Sequence, residues 1–222
     1  MSEKINKREL LREKRKQEKR RKTMIFVIIV FAVVTLILAA ALLPKLLVQN
    51  REFGATQGFS VGYPNAPVTV IEFSSYNCGY CKIVSEELQE DFFRDYVETG
   101  DVYFTYVNIP SNNEESYAAA TASYCAAEQN MFYEYKVQLF TYAGYEGAFS
   151  TENLISYSDA AGLDTEDFRA CLVRDDYAKA ISQDLQFAQS VGLTGTPSFL
   201  INGEELVYTS ELIPTVDALL NN

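Results

Sequence analysis

Apolar residues follow three regimes along this chain. Over Met24–Leu43 (MIFVIIVFAVVTLILAAALL) they run on with no charge and one hydroxyl, Thr35. Over Pro67–Phe73 (PVTVIEF) and Asp101–Ile109 (DVYFTYVNI) they come in short β-branched and aromatic runs, the pattern of buried strands. Over Cys81–Val97 they recur at helical spacing, through Ile83, Val84, Leu88, Phe92, Phe93 and Tyr96. Strand, helix, strand in that order predicts a βαβ unit with parallel strands. From Glu114 to about Val191 the pattern is helical, broken near Ala143–Gly147 and at Gly162. Pro197–Asn202 and Glu205–Thr209 then read as strands on either side of Asn202-Gly203, a strong hairpin dipeptide, and Glu211–Leu220 closes the chain as an apolar-faced helix. The predicted order is β-α-β, a helical block, then β-β-α.

The uninterrupted run has a different meaning. As a helix its twenty residues extend about 30 Å, the thickness of a bilayer core, which predicts a transmembrane segment. Charge orients it. Residues 1–22 carry eleven Lys/Arg against four Asp/Glu, whereas the chain beyond Pro44 carries eight against twenty-six. The positive-inside rule therefore keeps a basic tail, residues 1–23, in the cytoplasm and sends the acidic body outside it. A basic run beside a membrane span is a topology determinant lying on anionic lipid rather than a nucleic-acid site. The competing reading is a cleavable signal peptide with Ala39-Ala40-Ala41 at its cleavage point; the long apolar run and the abrupt Pro44-Lys45 end favour an uncleaved anchor over 24–43. Residues 44–58 are polar and glycine-containing, a linker, and 59–222 suffice for one domain with its own core.

Two of the four cysteines, Cys78 and Cys81, fall on the turn between the first strand and its helix. The chain has no histidine, and Cys125 and Cys171 stand alone in the helical block, so the ligand set of a zinc site is missing. A bridge across so short a loop restrains the unfolded chain little. The remaining reading is a redox-active dithiol. At a helix start, unpaired N–H groups and the positive end of the helix dipole favour negative charge on the first sulfur, which makes Cys78 the nucleophile and leaves Cys81, one turn in, to close the ring. Glu72 interrupts the apolar strand six residues earlier. If buried there, its carboxyl is held protonated and can exchange a proton with Cys81; if on an edge, it is merely a solvated acid. Cys125 and Cys171 are either two buried thiols or a bridge closing a 46-residue loop, and an oxidising compartment favours the bridge.

Ala66–Glu87 (APVTVIEFSSYNCGYCKIVSEE) and Val191–Gly203 (VGLTGTPSFLING) together resemble the DsbA-like thiol-disulfide oxidoreductases, and Asp167–Leu172 (DFRACL) matches a landmark of their helical insertion. The resemblance covers the chain from Phe59 onward. It implies an α/β thioredoxin-like fold with an inserted helical subdomain over about 111–191, here preceded by one N-terminal transmembrane helix. It implies that Cys78 forms mixed disulfides and Cys81 resolves them, that Thr196-Pro197 is the loop with a cis proline facing the dithiol, that Glu72 is the buried acid, and that Cys125 and Cys171 form a second, structural disulfide. No cofactor or metal is implied. The implied activity is disulfide donation to reduced or unfolded secreted proteins by a membrane-anchored, extracytoplasmic, monomeric enzyme, reset by a quinone-linked membrane partner of the DsbB or vitamin-K-epoxide-reductase type. Gly79-Tyr80 between the cysteines, with threonine before the proline, also resembles disulfide isomerases, so isomerase or reductase is the alternative direction; a non-catalytic binding module fits less well, because both cysteines are present.

Overall fold

A computed structural model describes residues 24–25, 58–174 and 176–221. The basic tail, the membrane span beyond Met24 and Ile25, and the linker up to residue 57 lie outside the described residues; Met24 and Ile25 themselves are helical. Among the described residues no helix is long and apolar enough to cross a membrane.

Strands β1 (Ser60–Val61), β2 (Val68–Ser74), β3 (Val102–Asn108), β4 (Ser198–Ile201) and β5 (Glu205–Val207) form one sheet in the order β1-β3-β2-β4-β5. The β-branched run of β2 pairs in parallel with β3, from Val68 opposite Val102 to Ser74 opposite Asn108, as the intervening helix requires. β1, β4 and β5 join antiparallel. β4 and β5 are joined by Asn202, Gly203 and Glu204; Asn202 and Gly203 are both at positive φ (50° and 72°), the centre of a tight turn that the Glu204 N–H closes on the Ile201 carbonyl at 3.0 Å.

β1 was not legible as a strand. It has two residues, and the chain leaves it through Gly62 at φ 101°, where a Cβ would stand 2.6 Å from the carbonyl oxygen of Val102. Only glycine lets the chain lie this close to β3.

Helix α1 (Gly79–Glu87) follows β2 and runs on as a π-helical segment, Leu88–Val97. The expected single helix over Cys81–Val97 thus begins two residues earlier and changes its winding midway. The helical insertion comprises α2 (Glu114–Glu128), α3 (Phe132–Tyr142), α4 (Thr151–Ala160), α5 (Thr165–Arg174) and α6 (Ala178–Ser190), and α7 (Thr209–Leu220) ends the chain. The sequence reading carried β5 to Thr209, but the Tyr208 N–H donates to the Glu211 carboxylate at 3.1 Å, a capping bond that starts α7 at Thr209.

The sheet buries both faces. On one, Val68, Val70 and Phe104 pack with Val84 of α1, Phe92, Phe132 of α3, and Leu212 and Val216 of α7. On the other, Phe73, Val107 and Leu200 pack with Ala188 of α6. A disulfide between Cys125 of α2 and Cys171 of α5, Cα atoms 5.7 Å apart, fastens two helices of the insertion.

Candidate functional site

Cys78 caps α1. Its backbone is extended, with φ −99° and ψ 113°, and its sulfur accepts the N–H of Cys81 at 3.2 Å, one of the donors that a helix start leaves unpaired. The cap is why the helix begins at Gly79. The same sulfur donates to the carbonyl oxygen of Thr196 at 3.5 Å. The Thr196–Pro197 peptide bond is cis, and Pro197 leads into β4, which pairs with β2, so the sheet itself carries this loop to the dithiol.

Both thiols are free, and they differ in access. Cys78 is half-buried, and Cys81 has no exposed surface. Cys78 opens onto a cleft of about 370 Å³ lined also by Ser75, Asn77, Pro110, Ser111 and Thr196. Burial, reinforced by the adjacent Cys78 sulfur, pushes the Cys81 thiol up to about 12. One sulfur is presented for attack, while the other is kept a thiol and requires a proton acceptor when it reacts.

Glu72 is fully buried, and neither carboxylate oxygen has a hydrogen-bond partner. Burial raises its pKa, against the opposing pull of the Lys136 ammonium and of the nearby Ser74 hydroxyl. Alternation along β2 puts Ser74 on the same sheet face as Glu72, with Tyr106 and Asn108 opposite them on β3. The hydroxyls of Ser74 and Tyr106 and the Asn108 amide are likewise buried without a partner. This polar block interrupts an otherwise apolar face, and orphaned groups in such numbers are the setting in which ordered water bridges buried atoms.

Lys136 was missed by the sequence reading. It lies on α3 with 2% of its surface exposed, its Nζ 5.2 Å from the centre of the Tyr106 ring and 5.3 Å from that of Tyr133. Burial lowers its pKa, and Glu72 pulls it back up. A signal was present: Phe132, Lys136 and Phe140 recur every four residues, so the lysine shares a helix face with two buried phenylalanines.

The remaining site residues expected from sequence divide by place. Cys78 and Thr196 line the cleft, Cys81 is buried one turn into α1, Pro197 follows Thr196 into β4, and Glu72 is buried on β2 between Tyr106 of β3 and Phe199 of β4. Cys125 and Cys171 are bridged within the insertion.

A family model described as thioredoxin matches residues 55–218. Disulfide bond formation protein D of Bacillus subtilis is 26% identical over 147 residues, covering 64% of this chain and 66% of the relative. Na(+)/H(+) antiporter NhaA 3 of Salinispora tropica is 31% identical over 144 residues, again 64% of this chain but only 21% of the antiporter. The chain thus spans about a fifth of one relative's length and just under two thirds of the other's. Among solved structures, oxidised BdbD from Bacillus subtilis superposes with a TM-score of 0.67 at 23% identity, over 76% of this chain and 95% of that one. A thioredoxin-like oxidoreductase from Silicibacter pomeroyi DSS-3 gives 0.62 at 29% identity, over 78% and 98%.

Proposed function

Because the chain belongs to the thioredoxin family and has the fold of DsbA-family proteins, we propose that it is a thiol-disulfide oxidoreductase that donates the Cys78–Cys81 disulfide to reduced proteins outside the cytoplasm. The observation that carries this reading is the position of Cys78. Its half-exposed sulfur caps a helix and faces the Thr196 carbonyl at the mouth of a cleft, while its partner sulfur is buried behind it.

The exchange runs in two displacements. A substrate thiolate attacks Cys78 of the oxidised protein; the Cys78–Cys81 bond breaks, a substrate–Cys78 bond forms, and the released Cys81 thiolate takes a proton. Burial makes that proton strongly held on Cys81, and Glu72 is its source on the inner side of the dithiol. A second substrate thiolate then attacks the substrate sulfur, forming the substrate disulfide and expelling the Cys78 thiolate. Backbone N–H groups and the helix dipole stabilise that leaving thiolate, and whatever stabilises the reduced form makes the disulfide a stronger oxidant. This favours donation over isomerisation or reduction, the alternative that Gly79-Tyr80 suggests.

The further elements of the reading are a monomer held by a membrane anchor over 24–43 with the domain extracytoplasmic, and a quinone-linked membrane partner that reoxidises the dithiol. The basic tail and acidic body support the topology. The direct test is to mix the oxidised full chain with a reduced, unfolded multi-cysteine protein: disulfides should appear in the substrate in step with the loss of the Cys78–Cys81 bond. Failure to oxidise that substrate, with efficient reduction of insulin by the reduced form, would assign the protein to the reductases.

A further inference from the structure

We infer that Lys136, supplied by the helical insertion, is a positioning residue for this exchange: its ammonium is the counter-charge for the Glu72 carboxylate that forms each time Glu72 passes its proton to Cys81. The inference rests on the dithiol reading above.

The geometry leaves the carboxylate few alternatives. Glu72 is fully buried and neither oxygen makes a hydrogen bond of ordinary geometry, so its ionised form lacks solvation and has only the nearby Ser74 hydroxyl to turn to as a donor. The titratable groups that interact with it are Tyr76 before α1, Tyr106 of β3, and Tyr133 and Lys136 of α3, and Cys81 of α1 shares Ser74 and Tyr106 with it as neighbours. Burial holds the three phenols protonated and neutral. Phe199, opposite Glu72 on β4, carries no charge. Among the described groups around Glu72, Lys136 is therefore the one cation.

Its position fits the role. Nζ lies over the ring of Tyr106, the residue opposite Glu72 in the β2–β3 pairing, and over Tyr133. Two aromatic faces hold an ammonium by cation–π attraction without neutralising it. No ion pair of bonding length joins Lys136 to Glu72 among the described residues, so the charge acts through space and leaves the carboxyl free to take and give its proton. At a low effective dielectric, a charge so placed favours the ionised form of its neighbour.

The test follows one balanced step in the full chain. Reduced protein mixed with oxidised glutathione forms a Cys78–glutathione mixed disulfide, which Cys81 resolves: the Cys81 proton passes to the Glu72 carboxylate, the bond to glutathione breaks as the Cys78–Cys81 bond forms, and glutathione leaves as a thiolate that takes its proton from solvent. Acid quenching and mass spectrometry give the resolution rate against pH. Lys136→Met should move the midpoint of that profile up, slowing resolution about tenfold per pH unit of the shift at pH values below it. In a Glu72→Gln background the same substitution should move nothing. An unchanged midpoint, or equal shifts in both backgrounds, would overturn the inference and leave Lys136 as a packing residue. A mixed disulfide that never forms would instead overturn the dithiol reading, and this inference with it. Should Lys136→Met not fold, the ¹⁵N shift of Nζ in the native chain decides: an ammonium at neutral pH whose signal responds to Glu72→Gln supports the role, and a neutral amine contradicts it.

Discussion

The Cys78 sulfur stands 3.5 Å from the carbonyl oxygen of Thr196, although 118 residues separate them in the chain. The sulfur at the start of α1 and the bend that leads into β4 therefore lie side by side at the mouth of the cleft. Cys81→Ala is expected to accumulate covalent adducts with reduced secreted proteins through Cys78, because nothing remains to resolve them, while Cys78→Ala accumulates none. Non-reducing gels followed by mass spectrometry of the adducts check this, and adducts carried by Cys81 in the second variant would reverse the assignment.

The Cys125–Cys171 bridge closes a loop of 46 residues. Chain entropy alone gives such a link about 4 kcal/mol, an upper figure for intact packing. Cys125→Ala and Cys171→Ala should each lower the melting temperature by similar amounts, and the double variant should fall no further, since all three remove the same bond. Disulfide exchange at Cys78 should survive in each. Additive losses in thermal melts would mean that the two sulfurs act separately.

Glu72 also ties stability to pH. An unfolded glutamate ionises near pH 4.3, whereas burial keeps the folded one protonated to higher pH. Between those two values the folded state binds more protons, so the contribution of Glu72 to stability is present in full below the unfolded value and is lost as pH rises toward the folded one, at about 1.4 kcal/mol per unit. Glu72→Gln removes that slope. Denaturant melts of both proteins from pH 4 to 7 should show the variant gaining on the wild type as pH rises, and parallel curves would mean that the carboxyl titrates normally.

Phe132 joins the insertion to the sheet. It is fully buried, with its ring centre 4.7 Å from that of Phe59, 5.0 Å from Tyr133 and 5.2 Å from Tyr106. Phe132→Ala should cost about 3–5 kcal/mol by leaving a cavity at this junction. Equilibrium unfolding measures it; a loss under 1 kcal/mol would mean that the neighbouring rings close the gap.

Much of this architecture was legible because the local patterns and the tertiary structure agree. PVTVIEF and DVYFTYVNI have strand patterns wherever they are placed, and Asn202-Gly203 fits few connections other than a tight hairpin. The place of the cysteine pair was legible because the apolar pattern changes from strand to helix at that point. What escaped was set by distant partners. Ser60–Val61 is a strand only because β3 lies beside it, and helix α1 starts at Gly79 because a sulfur acts as its cap. Lys136 resembled an ordinary charged helix residue until α3 was laid against Tyr106, and its spacing from Phe132 and Phe140 was the single local hint.

The redox equilibrium of the Cys78–Cys81 pair with glutathione tests the central claim most directly, because disulfide donation requires a dithiol more stable reduced than that of thioredoxin. Equilibrating the full chain in glutathione buffers and counting alkylated thiols by mass gives the constant. The expected potential lies well above the roughly −270 mV of thioredoxin, in the range of about −180 to −120 mV occupied by disulfide donors. A value at or below about −270 mV would contradict disulfide donation and make the protein a reductase.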